Sequence, residues 1–215
     1  MISISGIKYQ EKLEKLPYFN KKTAGMLIGK SGKNLDKKIQ ALLDKGYLVS
    51  LKKGLYVTST FAEKESSKSR YLEYLANVLR YPSYVSLEYI LAKNGLIPEA
   101  VYSITSITLK TTRTYKNELA SFIYRNIKEP LFCGYNTKRY LDNKVKIAVP
   151  AKALFDFLYL KSGLTDNLEY QLLEKLRINW EQLVRQDVEE FRAFVKKADS
   201  SKMESILEVL EKEVF

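Results

Sequence analysis

Along the first sixty residues, apolar side chains recur at helical spacing in three short runs and then begin to alternate. Tyr9, Leu13 and Leu16 lie three or four apart, and Pro17 follows where a helix must stop, which predicts a first helix. Ala24, Leu27 and Ile28 share one face of a second helix over residues 21–28, with Asn20 at its N-cap and Gly29 as its stop. Residues 29–31 then form a tight turn into a third helix, with Ser31 placed to cap the free amides of Gly32, Lys33 and Asn34. Leu35, Ile39, Leu42 and Leu43 fall in one stripe of that helix, Lys33, Lys37 and Gln40 lie opposite, and Asn34 and Lys38 flank the stripe. After Gly46 the period drops to two: Val49 and Leu51 alternate with Ser50 and Lys52, and residues 55–58 supply a return strand. Lys52, Lys53 and Gly54 are then the tip of a hairpin, with Gly54 providing the turn's unusual backbone angle.

The pattern changes again downstream. Residues 60–70, TFAEKESSKSR, are polar and short of packing residues, so a domain junction is expected there, with residues 1–60 as one domain and 61–215 as another. Leu72, Leu75, Ala76 and Leu79 make a helix ended by Tyr81 and Pro82; SLEYILAKNG makes the next, with Ser86 at its cap and Gly95 as its stop. Strands are expected in VYSITSITLKTTRTY, ASFIYRNI, PLFCGY and KVKIAV. Pro150 then opens a helix with Ala153, Leu154, Phe157 and Leu158 inside, and residues 165–215 read as three or four amphipathic helices. The second part is therefore a mixed α+β domain ending in a helical C-terminal region.

Charge sharpens this division. The 215 residues carry 36 basic and 25 acidic side chains, a net charge of +11, with 46% hydrophobic residues, enough for a normal core. Residues 1–60 hold 12 lysines against 4 acids, whereas residues 161–215 hold 9 basic residues against 12 acidic ones. The basic end is expected to meet a polyanion. Histidine is absent, which excludes histidine bases, histidine metal sites and Ser/His or Cys/His nucleophile systems. The single Cys133 can form neither an internal disulfide nor a cysteine zinc cluster and is expected to be a buried, inert thiol in a reducing compartment. The N-terminal stretch MISISGIKYQEK does not read as a signal sequence and no membrane span is apparent, so a cytoplasmic location is expected.

The order helix, helix, tight turn, helix, hairpin is that of a winged helix-turn-helix, whose third helix enters the major groove of double-stranded DNA. On that reading Lys22, Lys30, Lys33, Lys37, Lys38, Lys52 and Lys53 neutralise phosphates, Thr23 and Ser31 are phosphate ligands, and Asn34 and Gln40 address adenine. The rival use of the same fold is protein–protein contact without sequence-specific DNA binding. Chemistry is hard to place. KSGK at residues 30–33 is far short of a phosphate-binding loop, Glu88 and Glu99 have no partner carboxylate at a fixed spacing for a metal-dependent nuclease, and Asp156 has Lys152 four residues earlier as an ordinary ion-pair partner. No catalytic, metal or cofactor site is expected.

The stretch YPSYVSLEYILAKNGLIPEAVYSITSITLKTTRTY, followed by SFIYRNIKEPLFCGY and IAVPAKALFDFLYL, resembles the AbiEi family of antitoxins, and LLDKGYLVSLKKGLYV resembles the approach to that family's wing. Residues 84–88, 95–98, 103–108 and 150–156 match in order and approximate spacing; beyond residue 160 the resemblance thins to generic helices. It implies a non-enzymatic transcriptional regulator of a type IV, abortive-infection toxin–antitoxin operon, active in phage defence. Its winged helix would bind promoter repeats through residues 30–38 and the wing lysines Lys52 and Lys53. The larger domain would counter an AbiEii-type toxin resembling nucleotidyltransferases, with or without direct contact.

Overall fold

A computed structural model describes residues 4–164 and 167–215, and the chain is mixed α+β. Its contacts divide it into two compact units, one comprising the chain up to Tyr71 together with Tyr115–Ser121, the other Leu72–Thr114 and Phe122–Phe215. The first unit thus extends past residue 60. The polar stretch at 60–70 is mostly helical: α4 (Ser59–Lys64) starts at Thr58, whose hydroxyl accepts the Phe61 amide at 3.2 Å, and α5 (Lys68–Leu79) begins four residues after α4 ends. Its polarity marks the outer faces of helices.

In the first unit α1 (Ile4–Leu13) precedes a two-residue strand β1 (Phe19–Asn20), α2 (Lys21–Ile28), α3 (Gly32–Asp44) and the hairpin β2 (Leu48–Lys52) and β3 (Leu55–Thr58). The three strands order as β1-β3-β2, antiparallel throughout. Leu13, Phe19, Ala24, Leu35, Ile39, Leu42 and Leu48 form one buried cluster, so each helix contributes the stripe that its period predicts. Leu16 lies beyond the end of α1. The strand β1 has no periodic signal, because two residues are too few to show one.

The second unit is built on a six-stranded mixed sheet in the order β6-β7-β5-β4-β9-β8. Its strands are β4 (Ser83–Val85), β5 (Ile104–Thr108), β6 (Arg113–Lys116), β7 (Ser121–Asn126), β8 (Tyr135–Tyr140) and β9 (Asn143–Ala148). β4 pairs with β5 antiparallel and with β9 parallel, β5 runs parallel to β7, and β8 and β9 form a hairpin. The central β5 is buried along its whole length, as a strand covered on both faces must be. α5 covers one face: the Tyr124 hydroxyl donates to the Ala76 carbonyl at 2.7 Å, and the Asn77 amide group bonds the backbone of Lys146. The other face carries α6 (Glu88–Lys93) and α7 (Pro150–Leu160), backed by α9 (Arg185–Ala198) and α10 (Ser201–Glu213). A short helix α8 (Leu168–Tyr170) runs into a π-turn over Gln171–Lys175; the expected helical run starts at residues 165 and 166, which lie outside the described residues.

Several expectations need correction here. PLFCGY is not a strand: it makes a 3-10 turn (Glu129–Leu131), because Pro130 has no amide to give a ladder, and only Tyr135 joins β8. Cys133 is half-buried, with the Lys197 ammonium 3.6 Å from its sulfur. Ser86 does not cap α6. Its hydroxyl instead donates to Asp156 at 2.7 Å, and the capping falls to Thr105 on β5, whose Oγ1 accepts the Tyr89 amide at 3.0 Å and donates to the Ser86 carbonyl at 2.6 Å. Between them Leu87 has φ 60° and ψ −147°, a conformation essentially confined to glycine and worth about 1–3 kcal/mol of strain.

Candidate nucleic-acid interface

The basic end of the chain is organised by α2, α3 and the hairpin. α2 starts at Asn20, whose carboxamide oxygen accepts the Thr23 amide at 2.9 Å and the Thr23 hydroxyl at 3.2 Å. Thr23 is therefore occupied as part of a cap and is half-buried. Gly25 lets α2 approach α3 closely: a Cβ there would meet Leu35 Cδ2 and the Lys30 carbonyl, each at 3.0 Å. Around this contact lies an open groove of about 680 Å³, lined by Lys21, Lys22, Lys30 and Ser31 at its rim and by Met26 and Leu35. Met26 is 69% exposed.

Ser31 stands at the N-cap position of α3 with extended backbone, but its side chain makes no capping hydrogen bond. The first amides of α3 are thus not closed off by it, and Lys30, Gly32, Lys33 and Asn34 are all exposed beside them. On the outer face of α3, Lys33 and Lys37 stand one turn apart and exposed. That face also carries acids. Asp36 pairs with Lys21 of α2, and Asp44 accepts from Gln40 Nε2 at 2.8 Å, which ties down the Gln40 amide that the sequence assigns to adenine. Lys38 turns toward α1, its ammonium 5.8 Å from the Tyr9 ring centroid.

The hairpin is anchored to both neighbours. Its turn carbonyl at Gly54 accepts the first amide of α2, Lys21, at 3.2 Å, and Gly54 has φ 78°, the left-handed angle that its place after Lys53 requires. The Asn117 side chain donates to the Leu51 carbonyl at 3.2 Å, and the Lys52 ammonium stands 5.9 Å over the Tyr115 ring. Lys53 at the turn is exposed; Lys52 is half-buried. Sequence reasoning missed these braces, because Tyr115 and Asn117 lie sixty residues away and carry no local signal of the hairpin.

In the second unit, residues far apart in the chain converge. Tyr84 and Ser86, at the end of β4, and Lys152 and Asp156 of α7 meet in one network: Asp156 accepts from Lys152, from the Ser86 hydroxyl at 2.7 Å and from the Tyr84 hydroxyl at 3.0 Å. Lys152 and Asp156 are both 0% exposed, and the Lys152 ammonium sits 4.5 Å over the Phe155 ring. Burial pushes the Asp156 carboxyl up from its ordinary range, against the opposing pull of Lys152, Ser86 and Tyr84. With no exposure to solvent this carboxylate is an internal anchor that holds Ser86, and through it the strained turn at Leu87.

Among the described residues no helix is long and apolar enough to cross a membrane. No family model matches the chain, and no curated protein matches it significantly.

Proposed function

We propose that the first unit is a winged helix that binds double-stranded DNA, and that the protein is the autoregulatory, non-enzymatic antitoxin of a cytoplasmic toxin–antitoxin pair. The observation that carries this reading is the placement of cations along one chain of elements: Lys22 and Lys30 at the α2–α3 groove, Lys33 and Lys37 on the outer face of α3, and Lys53 at the turn of a braced hairpin. In a winged helix these are the groove-entering helix, its leading turn and the wing. Phosphate contacts from the lysines set register, and Asn34, exposed on the first turn of α3, is the side chain free to read a base edge. The antitoxin half of the reading draws on the resemblance of the second unit's blocks to AbiEi, whose toxins are nucleotidyltransferase-like.

A second reading, a protein-binding face on the same elements, draws on Met26, Asp36 and Asp44, which put an exposed apolar side chain and two acids among the lysines. Fluorescence anisotropy of the full chain on its own upstream duplex and on a scrambled one, across a salt series, separates the two. The DNA reading expects preference for the upstream duplex and an affinity that falls steeply with salt. Equal, feeble and salt-insensitive binding to both would transfer the role to protein contact. Co-expression with the neighbouring gene then tests the antitoxin half, with rescue of growth as the expected outcome.

A further inference from the structure

We propose that the second unit carries a binding site for a nucleoside monophosphate, in the paired cavities on either side of Glu88 and Arg125. Two hollows share the wall formed by Leu87, Glu88 and Arg125: one of about 450 Å³ and a smaller one of about 220 Å³. The larger volume is within the range of small-molecule sites. Their linings differ in chemistry. The smaller is bounded by Lys161 and Ser162 beside Arg125, two cations and a hydroxyl; the larger is bounded by Ile123 and by Tyr102, which is 88% exposed.

The polar groups are free to receive a ligand. Among the described residues the Glu88 carboxylate has neither an ion pair nor a hydrogen bond, although it stands half-buried with Arg125 on the same wall. Among the described residues Arg125 gives a single side-chain bond, from Nη2 to the Leu160 carbonyl at 3.3 Å, which orients the guanidinium toward the end of α7 and leaves the rest of its fork available. Lys161 lies over the Phe157 ring at 5.0 Å, its ammonium held by no carboxylate among the described residues. The wall between the hollows also holds a strained residue, Leu87, fixed from behind by Ser86 on Asp156 and by Thr105. Strain retained by so many fixed partners is a mark of a functional turn.

A ligand that satisfies this arrangement carries three features in sequence. It has an anionic head for Arg125 and Lys161, hydrogen-bond donors for the Glu88 carboxylate, and a flat apolar body for Tyr102 and Ile123. A nucleoside monophosphate has all three: phosphate, ribose diol and base. Carboxylates accept from ribose hydroxyls in many nucleotide sites. The site lies within the second unit and does not depend on the DNA-binding reading of the first.

Calorimetric titration of the full chain with AMP, GMP, CMP and UMP, and separately with adenosine and inorganic phosphate, tests this. The expected result is saturable one-site binding of at least one mononucleotide, with adenosine and phosphate each weaker by about tenfold or more. Arg125→Ala and Glu88→Gln should each weaken it by about tenfold at unchanged thermal midpoint, whereas a Lys30→Ala, Lys37→Ala double variant should bind as the parent does. Absence of saturable binding by all four nucleotides overturns the proposal. So does binding that survives both Arg125→Ala and Glu88→Gln, or that is lost in the lysine double variant, since either places the ligand elsewhere.

Discussion

Lys152 and Asp156, one turn apart on α7, form an ion pair that is wholly enclosed, with the Ser86 and Tyr84 hydroxyls completing the carboxylate's shell. Removing one member strands a charge in the interior. Lys152→Met or Asp156→Leu alone is expected to cost about 3–5 kcal/mol, and the double replacement less than either single change, because no unpaired charge then remains. Urea unfolding of the four proteins measures the cycle; single costs below about 1 kcal/mol would show that the pair is not structural.

Burial first, and then the charge of Asp156 and the hydrogen bond to it, raise the Tyr84 phenol well above its ordinary value. Unfolded, the phenol ionises near 10; folded, it keeps its proton. Stability from this group is therefore complete below about pH 10 and falls as pH rises beyond it, by up to about 1.4 kcal/mol per pH unit. Tyr47 and Tyr89, also raised by burial first and then by Glu14 and Glu73, bend the curve in the same direction. Urea midpoints from pH 8 to 11 should fall more gently for Tyr84→Phe than for the parent. Parallel curves would mean that Tyr84 ionises alike in both states.

Two caps of identical promise in the sequence differ in the structure. Asn20 accepts two hydrogen bonds at the start of α2, while Ser31 makes none with its side chain at the start of α3. Asn20→Ala is expected to lower stability by about 1 kcal/mol and Ser31→Ala by a few tenths at most. If the DNA reading holds, Ser31→Ala should show its effect in affinity instead. Thermal unfolding and anisotropy on the same samples decide it.

On the outer face of α3 the acids oppose the lysines. Lys37→Ala and Lys53→Ala should each weaken binding to any duplex and flatten the salt slope by about one unit. Asp36→Asn should do the reverse, removing a negative charge and releasing Lys21 from its pair. Asn34→Ala should relax sequence choice at one position by about 1–3 kcal/mol, while Gln40→Ala, whose amide is held by Asp44, should change it little. A Gln40 effect as large as that of Asn34 would mean that Asp44 releases the amide on DNA.

Wherever one element's own period and punctuation suffice, the chain alone determined the outcome. The core stripe of α3, the stop at Gly29, the hairpin turn at Gly54, the central strand at Ile104–Thr108 and the helix opened by Pro150 all follow from side-chain spacing and backbone freedom, which are local properties. The outer lysines of α3 were visible for the same reason. Asp36 and Asp44 on that face were equally visible, but their effect depends on Lys21 and Gln40 reaching them, and that is a matter of packing.

Only the tertiary structure decided which polar side chain does which task. Ser86 and Ser31 have the residue type and position of caps, yet Ser86 turns to Asp156, seventy residues away, and Thr105 takes its place. The hairpin is held by Asn117, and two distant segments meet in a single buried network through Tyr84, Ser86, Lys152 and Asp156. A short polar side chain can satisfy its hydrogen bond locally or across the fold at similar gain, so its sequence neighbours do not determine the choice. The paired hollows at Glu88 and Arg125 arise the same way: their walls come from α6, the segment 100–103 before β5, β5, β7, α7 and the residues just after it, and no period within any one of them encodes the space left between.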